Sequence, residues 1–163
     1  MTHIPLKEYV TQVLAISDEF AKTRNVSLVI AGGAAASAIC KRLSSDVDFF
    51  FVSAAQDVVA ARELLNLVLK RISAHATRCN EEPTFTRNEN VISVCFDESA
   101  TDEVVKLQFI LRLYPSVSVL LGGFDLGPCA VALLHKGKEV VLTRLGAWCL
   151  ALVRHVSIRD LLF

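Results

Sequence analysis

The 163-residue sequence is short of the features that build metal staples, linkers and membrane spans. Its five Cys, at 40, 79, 95, 129 and 149, include no CxxC pair. Its four His, at 3, 75, 135 and 155, form neither HxH nor HExxH. That spacing argues against a zinc centre. Seven Gly and four Pro are too few for a linker-rich or fibrous chain. No apolar run approaches the ~20 residues that a membrane-spanning helix needs, so no membrane association is expected. Net charge is also lacking, with 17 basic residues against 17 acidic ones. A neutral chain is poorly suited to coating nucleic acid or adhering to anionic lipid, although a local basic patch is still allowed. Met1 is followed by Thr-His-Ile-Pro, which has neither the basic nor the apolar region of a secretory leader. With an odd Cys count, this implies reduced thiols in a cytoplasmic compartment, with Cys40, Cys95, Cys129 and Cys149 expected to be largely buried.

Apolar residues make up 53% of the chain, charged residues 21%, and the mean hydropathy is +0.46. Such a chain has a full core, or a surface covered by a partner. The length fits one domain, with a motif-bearing core at about 26–143, a C-terminal helix at about 144–153 and an apolar tail.

Pro5 to about Lys22 carries helical periodicity. Ser27–Ala31 is a short apolar strand running into Gly32-Gly33, and the Ala-rich stretch Ala34–Leu43 is helical. Val47–Val52 is the clearest strand. Ser53 is positioned to cap a helix over about Ala54–Ser73, with Val58, Ala61, Leu65, Val68 and Ile72 inward; residues 74–82 read as a loop. Thr84–Arg87 and Asn90–Phe96 form a hairpin, and Val104–Arg112 is another strand. Pro115 to Leu121 is helix-like and ends at Gly122-Gly123. Cys129–Leu134 pairs with Glu139–Leu142, and a last helix covers Arg144–Val153. Early strand–helix alternation followed by hairpins predicts an α/β (α+β) domain with a mixed sheet flanked by helices.

One constellation stands above generic patterning: Gly32-Gly33, then Asp46-Val47-Asp48. A strand that ends in Gly-Gly and turns into a helix leaves free backbone N–H groups, and the missing side chains let a phosphate approach them. Asp46 and Asp48, two apart on a strand, point to one face. Adjacent carboxylates repel unless a cation lies between them, and Mg²⁺ uses one or two carboxylates together with substrate phosphates. A phosphate cradle beside a divalent-metal site is the minimum equipment of nucleotidyl transfer.

Gly-Gly followed by Asp-x-Asp on the next strand resembles the DNA polymerase β-like nucleotidyltransferase superfamily. The resemblance covers Leu28–Val52, with Ser45 before the Asp pair in keeping. Val105–Arg112 followed by Gly123-Phe-Asp-Leu126 is similar to a poorly characterised branch seen in large-virus and microbial ankyrin-type proteins, which extends the likeness to about Ala151. The resemblance implies a nucleoside triphosphate partner held by Gly32, Gly33, Ser37, Gln108 and Arg112, Mg²⁺ on Asp46 and Asp48, and a third carboxylate on a later strand. In this sequence the third slot, on Val104–Arg112, holds Gln108. Asp125 is the candidate substitute, if the Gly-Phe-Asp turn folds back to the site.

Two readings stay open. In one, the chain is an Mg²⁺-dependent nucleotidyltransferase with Asp46, Asp48 and Asp125 as catalytic carboxylates and a hydroxyl acceptor attacking the α-phosphate. Neutral charge argues mildly against a long nucleic-acid acceptor. In the other, it is a degenerate nucleotidyltransferase fold serving as a binding or assembly module, a pseudoenzyme. Trp148 is expected in the core or an interface. With Leu150, Leu152, Val153 and Leu161–Phe163 it predicts an association surface at the C-terminus, for another copy or a protein partner.

Overall fold

The computed structural model describes residues 6–40, 46–98, 103–135 and 138–154. Its centre is a seven-stranded mixed sheet of order β3-β4-β5-β2-β1-β6-β7. The strands are β1 Ser27–Ala31, β2 Asp46–Val52, β3 Thr84–Arg87, β4 Val91–Glu98, β5 Glu103–Tyr114, β6 Val131–Leu134 and β7 Glu139–Leu142. The helices are α1 Leu6–Arg24, α2 Gly33–Ile39, α3 Val58–Cys79, α4 Val117–Gly122 and α5 Arg144–Arg154. β2 runs parallel to β5, whereas β1 is antiparallel to both β2 and β6.

Strand alternation divides the apolar side chains between two faces. Val47, Phe49 and Phe51 of β2 join the larger cluster, with residues of α1, α2, α3 and α5. Phe50 joins a smaller cluster with Val29, Ala31, Leu120 and Leu121 on the α4 side. At the sheet centre Phe49 stacks on Phe109, ring centroids 5.1 Å apart, and both are fully buried.

Several local expectations differ from the structure. Asp57, not Ser53, caps α3, its carboxylate accepting from the Ala60 N–H at 2.9 Å. Ser53 is buried just upstream, and its hydroxyl accepts from the Asp57 N–H. Val58 is exposed, and the inward stripe is Ala60, Leu64, Leu65, Val68, Ile72 and Ala76. α3 also runs through the expected loop to Cys79, ending at left-handed Asn80. The extra turns are held by α1: Gln12 Nε2 is 2.9 Å from His75 Nδ1, and the Tyr9 ring meets His75 edge-on. Cys129 lies in a 3₁₀ turn ahead of β6 rather than in the strand.

The five thiols are free but only half-buried, not largely buried as expected for Cys40, Cys95, Cys129 and Cys149. Trp148 is 59% exposed, so it is not a core residue. Leu161–Phe163 and Ser45 lie outside the described residues. Among the described residues, no helix is long and apolar enough to cross a membrane.

Candidate nucleotide and metal site

β1 delivers Gly32 to the end of the sheet where β2 begins. Ile30 pairs with Phe49 in the antiparallel β1–β2 register, so one further step sets Ala31 opposite Asp48. Gly32 follows with φ +79° and caps α2 with no side chain. Its N–H donates to the Val131 carbonyl at 3.1 Å, and its own carbonyl accepts from Ala36 N–H at 3.0 Å. Gly33 is exposed, and a Cβ there would meet nothing within 4 Å. Ser37 is half-buried one helical turn after Gly33 on α2.

Asp46 and Asp48 alternate with Val47 and Phe49, which are buried in the larger cluster. Both carboxylates therefore lie on the opposite, α4-side face of β2, and both residues are half-buried. Burial raises the Asp48 carboxyl above its ordinary pKa, and the neighbouring Asp46 charge adds to the rise.

β5 supplies the neighbouring row. Asp46 pairs with Lys106 and Asp48 with Gln108, while Ser93 of β4 pairs with Gln108 on its other side. Gln108 Nε2 donates to Ser93 Oγ at 3.4 Å. A neutral amide thus stands in register beside the carboxylate pair.

Asp125 is exposed in the turn after α4. Its neighbour Phe124 closes over Gly32, where a Cβ would lie 3.1 Å from the ring. Phe124 also meets Phe50 edge-on, with centroids 5.8 Å apart. The Gly-Phe-Asp turn therefore does fold back to the glycine loop, a closeness that sequence spacing alone did not reveal. Arg112 is elsewhere. It lies four residues beyond Gln108 on β5, ~13 Å along an extended strand, past a register shift between Phe50 and Phe51. Its guanidinium sits over the Tyr114 ring at 5.0 Å.

The donor set fits one hard cation shared with ligand phosphates, since Mg²⁺ takes one or two protein carboxylates and fills its remaining positions with phosphate and water oxygens. No group of three or more His, Cys, Asp or Glu suited to a metal exists among the described residues. An all-protein cage is therefore not formed by them.

Residues 6–148 match the Gabija anti-defense 2 family. The uncharacterized protein R883 of Acanthamoeba polyphaga mimivirus is 31% identical over 135 residues, which cover 76% of this chain and 28% of that protein. Among solved structures, the Thermotoga maritima CCA-adding enzyme complexed with tRNA aligns at TM-score 0.56 and 12% identity, over 90% of this chain and 32% of that one. A CCA-adding enzyme complexed with CTP aligns at 0.56 and 13% identity, over 90% and 31%. A tRNA-processing enzyme in an apo form aligns at 0.55 and 19% identity, over 91% and 36%. The fold is thus nucleotidyltransferase-like, and the chain spans about a third of the length of the proteins it resembles.

Proposed function

The chain belongs to the Gabija anti-defense 2 family, and from that premise and the site geometry we propose that it is a nucleotide-binding domain on a nucleotidyltransferase fold, with its transfer chemistry lost or weak. The observation that carries this reading is the row Asp48–Gln108–Ser93. Two carboxylates on one face can share a cation with a triphosphate, but the position beside them holds a neutral amide that donates to Ser93 Oγ.

Asp46 and Asp48 hold Mg²⁺ in this reading, and the cation supplies charge neutralisation for the triphosphate. Gly32 and Gly33 keep the loop clear of side chains, and Ser37 stands one turn behind. Gln108 offers a neutral oxygen at most, so the second cation that would activate an attacking hydroxyl is poorly held. Binding to CTP and tRNA is stated for the structural neighbours, which supports a nucleoside triphosphate as ligand here. The family's description, opposition to Gabija defence, suits a domain that acts by binding in a reducing cytoplasm. The exposed Leu145, Trp148 and Leu152 of α5 suit a second copy or a protein partner.

Calorimetry with CTP and ATP, with and without Mg²⁺, tests the reading. The expected result is Mg²⁺-dependent binding, its loss in Asp46→Asn, and little pyrophosphate release with tRNA or small hydroxyl acceptors. Robust transfer that survives Asp46→Asn would show the site to be wrongly placed.

An active transferase is the second reading, favoured by one observation. Phe124 packs on Gly32, and the exposed Asp125 is its neighbour in the same turn. Mg²⁺-dependent pyrophosphate release abolished by Asp125→Asn would establish it.

A further inference from the structure

A concavity lies on the other face of the sheet, under α3, with a volume of about 740 Å³. That is the size of a small-molecule site, for which the usual range is ~300–1,000 Å³. Its apolar wall comes from Leu65 and Leu69 of α3, Ile92 of β4 and Leu113 of β5. These side chains belong to the larger cluster or pack against it, whereas Asp46 and Asp48 face the opposite side of the sheet. The two sites are therefore separate.

The polar rim is mostly cationic. Arg62 enters from α3 and Arg87 from β3, both exposed. Cross-strand pairing with Ile92 puts Arg87 on the cavity face of the hairpin. Among the described residues neither arginine has a hydrogen bond or ion pair with another residue, unlike Arg24 of α1, which pairs with Glu63 of α3 at 2.7 Å. Glu89 is the one acid among the lining residues, against Arg62 and Arg87; Arg112 also lines the space, but its guanidinium sits over Tyr114, which packs on the smaller cluster of the other face.

We propose that this concavity binds a small organic anion with an apolar body, its acidic group taken between Arg62 and Arg87 and its body laid on Leu65, Leu69, Ile92 and Leu113. Guanidinium groups without protein partners are the donors that a carboxylate, phosphate or sulfonate needs. Leu69, Ile92 and Leu113 are half-buried and stay wet until a ligand covers them, with Leu65 buried behind, so apolar burial adds to the charge pairing. The occupant is a small molecule, because the space of about 740 Å³ between α3 and the β3–β4 hairpin has the volume of a small-molecule site.

Two fluorescent probes with the same aromatic body test the charge requirement. These are 8-anilinonaphthalene-1-sulfonate and its uncharged counterpart N-phenyl-1-naphthylamine. The sulfonate is expected to bind roughly tenfold or more tightly than the neutral probe, the ratio that one charge-assisted pair supplies. In Arg62→Ser/Arg87→Ser the two affinities should converge, and Leu69→Asp should remove both. Both arginines are exposed, so the double variant should melt near the parent temperature. Equal affinities in the parent, or a preference that survives the double variant, would overturn the proposal. So would binding lost only in Trp148→Ser, which would place the probes on α5. Mg²⁺ and CTP should leave probe affinity unchanged, which separates failure of this site from failure of the nucleotide site.

Discussion

The ring of Phe124 lies over Gly32, so that a Cβ at position 32 would stand 3.1 Å from Cε1. The glycine also has φ +79° and ψ −144°, a region that L side chains rarely enter. Two independent constraints thus keep this position bare, one from the backbone and one from the α4 turn.

Gly32→Ala should therefore cost ~1–3 kcal/mol of stability from backbone strain alone. Because the Phe124 ring must also shift, the midpoint of thermal unfolding should fall by several degrees. Gly33→Ala is the control, since a Cβ there meets nothing within 4 Å. Equal loss in both variants would deny Gly32 its special place.

Asp48 gives the protein a pH signature. Its folded pKa is raised by burial and then by Asp46, so the folded state binds this proton more tightly than the unfolded chain does. Stability from this group is therefore lowest above the raised pKa. It increases as pH falls through that value toward the ordinary carboxylate range near ~3.9. Thermal melts from neutral to mildly acidic pH should show this rise superimposed on the other carboxylates. Asp48→Asn should remove it and raise the neutral-pH midpoint. A variant whose pH profile matches the parent would refute the shift.

Mg²⁺ and Gln108 are linked through the same row. Gln108→Asp adds a third carboxylate in register with Asp48. It should destabilise the metal-free protein and tighten Mn²⁺ or Mg²⁺ binding by roughly tenfold, since oxygen-ligand sites gain affinity with charge count. Thermal melts read the first and calorimetric titration the second. Unchanged ion affinity would mean that the cation does not sit beside this row.

Asp125→Asn discriminates the binding module from the active enzyme. Under the proposed function, nucleotide affinity stays within about twofold, as for other exposed substitutions. A large loss of transfer activity would instead make Asp125 the missing carboxylate.

The sheet centre carries the stability. Phe49 and Phe109 are both fully buried and stacked at 14° between ring planes. Phe49→Ala should cost about 3–5 kcal/mol, as for other aromatic-to-alanine changes in cores. Urea unfolding measures it, and a loss below ~1 kcal/mol would mean that the cavity collapses freely.

Features set by neighbours in sequence were readable from the sequence. The Ser27–Ala31 strand, its Gly-Gly end and the Asp46/Asp48 alternation depend on local sterics and a period of two. So did the mixed sheet, since strand–helix alternation and hairpins constrain connectivity. Tertiary packing decided the rest. Residues 74–79 lack a strong apolar stripe, yet they are helical because Tyr9 and Gln12 hold His75 from α1. The family resemblance named Gln108 for the third slot, but no spacing rule sets it beside Asp48, because β3 and β4 lie between the parallel pair β2 and β5 in sequence. Trp148 is apolar by composition but outward by rotation, since the inward face of α5 is filled by Ala147, Leu150 and Ala151. Arg62 and Arg87 are unremarkable in sequence and meet at one rim only because α3 lies across the sheet beside the β3–β4 hairpin. Local chemistry determined which elements form. Long-range burial, which depends on what each face finally meets, decided which side chains share a site.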